Sequence, residues 1–170
     1  MENKKDLNQN LSHYQFSPES QYLDRKSARK KPQELLKHLI AFANADGGQL
    51  VIGIEDEKQD NIITGFKDGK SYPIDDFKKI DREMRETPLD LSFEEIPVVN
   101  HKGEDDLILV ISVELSSNRV IAAPNDDVYL RQGDESIKLS YEERAQVSYD
   151  KGQRFFEDEL VPDATLEDID

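Results

Sequence analysis

Residues 41–57 read AFANADGGQLVIGIEDE, and the two glycines at its centre separate two kinds of chain. Before them, Leu35, Leu36, Leu39, Ile40 and Ala43 recur at three- and four-residue spacing behind Pro32, which suits a first helical position. That spacing predicts an amphipathic helix. It stops at Asp46-Gly47-Gly48, because glycine accepts the left-handed backbone that closes a helix. After the turn, QLVIGIE is a short apolar run rich in β-branched residues and predicts a buried strand. A polar turn at residues 58–61 and the run IITGF predict its hairpin partner.

Working outward, Asp75 reads as an N-cap for DFKKIDREMRE, in which Phe77, Ile80 and Met84 mark one helical face. LSFEEIPVV and DLILVISVEL, separated by the Gly-containing turn NHKGED, predict a second hairpin. DVYLRQGDESIKLS predicts a third extended pair bending at Gly133, and Ser140 with Glu143 forms a capping box that opens a last helix through YEERAQVSYDKGQRFF. Residues 1–17 are polar and without period, which predicts a flexible arm with no element. The order of elements predicts an α+β fold: a mixed, mostly antiparallel sheet built from hairpins, with about three helices. The domain is expected over residues 18–156, and residues 157–170 as an acidic tail or the start of a linker to a further C-terminal domain. Thr165 with Asp168 reads as one more helix start there.

The chain has 170 residues, 36% of them hydrophobic, and a formal net charge of −15. No apolar run approaches the ~20 residues of a membrane span, and MENKKDLNQN has no signal-peptide core, so a cytoplasmic protein with no membrane partner is expected. With no Cys, and with His13, His38 and His101 far apart, thiolate chemistry and zinc spacing are excluded. The charge is uneven. Residues 150–170 hold eight acids and two bases, whereas residues 24–31, DRKSARKK, hold five bases and one acid. Phosphate binding is dominated by Lys and Arg, so that basic segment is where a net-acidic chain would meet nucleic acid.

Three local features could carry chemistry. ESQYLDRK, residues 19–26, sets Glu19 and Asp24 five apart before Lys26. The helix end and glycine turn bring Asn44, Gly47 and Gly48 near the acids Glu55, Asp56 and Glu57, and paired glycines permit close backbone approach to a phosphate. VYLRQG puts Arg131 at a strand end beside a turn. GxxxxGK[ST], GxGxxG and GxSxG are all absent, which leaves conventional nucleotide sites and nucleophilic triads without their residues.

Together and in this order, these features resemble the Schlafen-type AlbA domain family. The family's acid, three residues and Leu-Glu-aromatic-Lys segment is matched at Glu19, Leu23, Asp24 and Lys26, its helix end and Gly-Gly strand at AFANADGGQLVIGIEDE, its later Gly at ITGF, and its Tyr-x-Arg-x-Gly at YLRQG. Asp24 replaces the commoner Glu, and Arg25 stands where an aromatic or apolar residue is usual. The resemblance spans roughly residues 18–156. It implies a nucleic-acid-binding module of bacterial transcriptional regulators, once described as a divergent AAA-type ATPase domain.

The resemblance implies further that some eukaryotic relatives cleave RNA with three acids, for which Glu19, Asp24 and Asp56 are the candidates here. These would serve as catalytic residues and as ligands of Mg²⁺ or Mn²⁺, hard cations that prefer carboxylate oxygens. The first expectation is DNA binding, with Lys26, Arg29, Lys30 and Lys31 on phosphates and Arg131 supporting them. The alternatives are a metal-dependent nuclease, a nucleotide-binding regulatory domain using Asn44, Gly47 and Gly48, and a domain for homo-oligomeric assembly whose acidic tail masks the basic segment.

Overall fold

The computed structural model describes residues 4–160. At its centre is the stretch that decided the sequence reading. Helix α2, Pro32–Asn44, runs into strand β2, Gly48–Ile52, through the glycine turn. Strand β1, Leu23–Lys26, precedes α2 and pairs with β2 in parallel, so β1, α2 and β2 form a crossover unit. β3, Leu91–Val99, and β4, Asp105–Val113, form the long antiparallel hairpin, and β4 also pairs with β2. The resulting four-stranded mixed sheet has the order β1-β2-β4-β3. β5, Tyr129–Gln132, and β6, Glu135–Lys138, make a separate two-stranded sheet that packs on α2. This is the expected α+β class.

Alternation along the strands divides the core between the two faces of the sheet. Leu50 and Ile52 of β2 with Leu109, Ile111 and Val113 of β4 face α2, whose Leu35, Leu36, Leu39, Ile40 and Phe42 close that side. Val51, Ile108 and Val110 point the other way, to Leu23, Ile54, Ile96 and Val98. Tyr14 and Leu11 cover that second face. They belong to a helix, α1, Lys4–Phe16, where the sequence predicted only a flexible arm. Leu7, Leu11 and Tyr14 do repeat at four- and three-residue spacing, a faint signal within a polar segment.

Two further expectations are corrected. IITGF forms no strand: it touches β2's continuation through one isolated bridge, Ile54 to Ile63, after which Thr64 and Gly65 both donate backbone N–H to the Gly53 carbonyl. DFKKIDREMRE is helical only at its start, as α3, Ile74–Lys78, with Pro73 rather than Asp75 at the N-cap. Beyond it, successive i to i+3 hydrogen bonds (Ile80 to Phe77, Arg82 to Lys79, Met84 to Asp81) turn the chain while keeping Phe77, Ile80 and Met84 buried together. The capping box is present, since the Ser140 N–H donates to Glu143 and the Glu143 N–H to the Ser140 hydroxyl. It opens α4, Tyr141–Leu160. The helix start at Thr165 and most of the acidic tail lie outside the described residues. Among those residues, no helix is long and apolar enough to cross a membrane.

Candidate functional site

The eight residues 24–31 begin as β1 and end at the first turn of α2, and the strand's pleat sends their charges to different places. Leu23 and Arg25 go to the α1 face, while Asp24 and Lys26 turn toward α2 and β5. Asp24 is buried, 2% exposed. Its Oδ2 accepts a 2.7 Å hydrogen bond from Nη1 of Arg131, which β5 brings in from 107 residues away. Arg131 is equally buried and uses every donor: Nε and Nη2 bond the Ser20 carbonyl, Nη2 also bonds that of Leu23, and Nη1 also bonds the Ser136 hydroxyl. Its guanidinium stands 4.7 Å from the centre of the Phe42 ring. A buried guanidinium is tolerated when its donors are bonded this completely.

Two titratable neighbours complete the cluster. His38 of α2 donates or accepts a hydrogen bond with Ser136 and lies 3.6 Å from Asp24 Oδ2. Burial pushes its pKa down from 6.5 to about 4 even though Asp24 opposes this. Glu19 lies close enough to Asp24 to feel its charge, and its Oε1 accepts from the Arg25 backbone N–H. Its pKa is raised, first by burial and then by the Asp24 charge.

Glu19 and Asp24 are therefore neighbours, but Asp56 does not join them. It opens a 3-10 turn at Glu57–Gln59 beyond β2. Among the described residues, no three His, Cys, Asp or Glu side chains come close enough to hold a metal ion. Asp24 Oδ1 accepts no hydrogen bond, yet the Lys26 ammonium stands 3.5 Å from it and Arg131 occupies Oδ2. Positive charge is thus already supplied by the protein, so this pair does not fit Mg²⁺ or Mn²⁺.

Asn44, Gly47 and Gly48 are committed to packing rather than to a phosphate. The Asn44 amide donates to the carbonyls of Ile121 and Tyr129 and accepts from the Ile121 N–H, pinning the end of α2 to β5. Gly47, at φ +78, donates its N–H to Phe42 O, and a Cβ there would lie 2.9 Å from the Val113 carbonyl. A Cβ on Gly48 would lie 2.5 Å from the Phe42 ring. The glycines let the helix end press against the sheet.

Arg131 is withdrawn from solvent and all its donors are taken by Ser20, Leu23, Asp24 and Ser136, which leaves none for the phosphate expected from the sequence. Lys26 keeps 27% of its side chain exposed, and Arg29 keeps 44% while pairing with Asp68 at 2.5 Å. Asp68 also accepts from the Ser71 hydroxyl and the Lys70 N–H; burial opposes, but these bonds hold its carboxyl well below the usual range. Lys30 and Lys31 are exposed and enter no ion pair among the described residues. The exposed cations Arg29, Lys30 and Lys31 thus line the connection from β1 to α2, which follows the strand that carries Asp24. His38 and Ser136 were not anticipated: a lone histidine and a lone serine carry no spacing signal, and only the packing of β6 on α2 joins them.

The chain's covered fold occurs in the crystal structure of the DIP2311 protein from Corynebacterium diphtheriae, at 18% identity and a TM-score of 0.56 over 90% of this chain. The chain covers 34% of that protein's length. No curated protein matches it. The family described as Schlafen, AlbA_2 matches residues 19–140, from the carboxylate that meets Asp24 to the serine that caps α4. The chain belongs to the Schlafen AlbA_2 family.

Proposed function

We propose that this domain binds nucleic acid, DNA foremost, as the recognition module of a transcriptional regulator, with Lys26, Arg29, Lys30 and Lys31 on the phosphate backbone. The observation that carries this reading is the division of residues 24–31. Asp24 and Arg25 are buried, while Arg29, Lys30 and Lys31 are exposed on the connection and Lys26, at the end of β1, is half-buried beside Asp24. The family fits a nucleic-acid-binding or ATPase-like domain. The ATPase alternative is weakened because Gly47 and Gly48 pack against Val113 and Phe42 and no Lys-Ser/Thr pair follows them. The nuclease alternative is weakened by the unassembled third carboxylate.

Net charge of −15 opposes long-range steering, so affinity should depend on these few contacts and fall steeply with salt. Four phosphate contacts give a log–log salt slope near −3.6 on duplex DNA and near −2.8 on a single strand, from ~0.9 and ~0.7 per phosphate. Fluorescence anisotropy with duplex and single-stranded oligonucleotides at several salt concentrations tests this. Absence of salt-sensitive binding to either probe at low salt would contradict the reading.

A further inference from the structure

A groove of about 360 Å³ begins where the basic connection ends, because Lys31 lines both. Pro32, Leu36 and Ile80, all buried, form its apolar floor, and the half-buried ring of Tyr72 is one wall. Lys79 and Arg82 enter from the turns that follow α3, bringing two more exposed cations. Among the described residues, Lys31, Lys79 and Arg82 make no ion pair, although Asp76 and Glu83 also line the groove and leave its formal balance at one positive charge. In a chain with so many surplus acids, such a balance is local and uncommon. The groove is also tied rigidly to the basic segment. Tyr72 donates its N–H to the Ala28 carbonyl at 2.8 Å, and Asp68, four residues before Tyr72, holds Arg29.

An aromatic wall, an apolar floor and cations at the edge together form the pattern by which proteins hold a single strand: the base stacks, and the flanking phosphates meet Lys or Arg. A base inside a duplex is already stacked and cannot enter. We propose that this groove receives one unpaired nucleotide of a single-stranded nucleic acid, its base against Tyr72 and its flanking phosphates on Lys31, Lys79 and Arg82. This rests on the nucleic-acid reading above and adds to it a strand form and a second contact area outside the basic segment.

The test compares three labelled probes of equal length by anisotropy: a single strand, the same strand with abasic sites, and a duplex. Stacking of one base predicts that the intact single strand binds about tenfold tighter than the abasic one. Tyr72→Leu, which keeps apolar bulk without an aromatic ring, should bring the two together. Lys79→Ala with Arg82→Ala should weaken single-strand binding about tenfold and make its salt slope shallower by about 1.4. Equal binding of intact and abasic strands overturns the inference, as does a Lys79/Arg82 double variant that binds like wild type while Arg29→Ala with Lys30→Ala loses affinity. In that second case the broader reading survives. Failure of all three probes to bind overturns both.

Discussion

Residues 24 and 25 and residues 26, 29, 30 and 31 belong to one basic segment, yet one pair is interior and the other set is surface. Asp24 and Arg25 are at most 2% exposed, whereas Lys30 and Lys31 face water. The difference teaches that a run of charge is not one feature. Its first residues alternate across a strand and are drawn into the fold by partners outside it, Arg131 for Asp24 and, for Arg25, the carbonyls of Tyr14 in α1 and of Ser17 just after that helix. Farther along, Arg29 pairs with Asp68 but stays exposed, and Lys30 and Lys31 enter no ion pair among the described residues. The interior part should therefore govern stability, and the outer part binding.

The largest expected effect lies inside. Arg131→Met leaves Asp24 buried without its cation and should cost about 3–5 kcal/mol in urea unfolding. A loss below about 1 kcal/mol would place Arg131 among the surface cations after all. The next effect is a pH dependence. His38 is held neutral, its pKa near 4 against 6.5 unfolded, so between those values the unfolded state binds more protons. Stability should therefore be complete above about 6.5 and fall as pH drops toward 4, by at most about 3 kcal/mol, and His38→Gln should flatten that limb. Glu19 acts in the opposite direction: its raised pKa means stability is lost as pH rises through its folded-state range, and Glu19→Gln should remove that loss in the same titration.

Gly48→Ala would drive a methyl to 2.5 Å from the Phe42 ring and should cost about 1–3 kcal/mol by thermal unfolding, without changing the binding surface. The smallest stability effect belongs to Lys30→Ala with Lys31→Ala. It should stay within about 0.5 kcal/mol of wild type, since both side chains are exposed and enter no ion pair among the described residues. A large loss of stability there would erase the distinction between the two parts of the segment.

Much of the fold was legible because it is locally encoded. The α2 stripe, the β3–β4 alternation, the β5–β6 bend at Gly133 and the Ser140–Glu143 capping box all depend on neighbours within a few residues. What escaped depends on distance. β1 is four residues with one hydrophobic side chain, and it is a strand because β2 pairs with it and Arg131 neutralises its aspartate. The spacing of Phe77, Ile80 and Met84 was read correctly as one buried face, but tandem turns satisfy it as well as a helix does. In the site, a spacing of five puts Glu19 and Asp24 on no common face of a helix or a strand, and only the family resemblance paired them. The burial of Arg131 was not legible, since a strand arginine beside a glycine turn looks the same whether it faces a phosphate or a carboxylate 107 residues away.

The central claim, that the exposed cations after β1 bind phosphate, is tested most directly by the salt slope of duplex DNA binding for wild type and for Lys30→Ala with Lys31→Ala. The account predicts that removing these two contacts makes the slope shallower by about 1.8 and weakens binding at low salt, with the unfolding curve unchanged. An identical slope and affinity in a folded variant would contradict it.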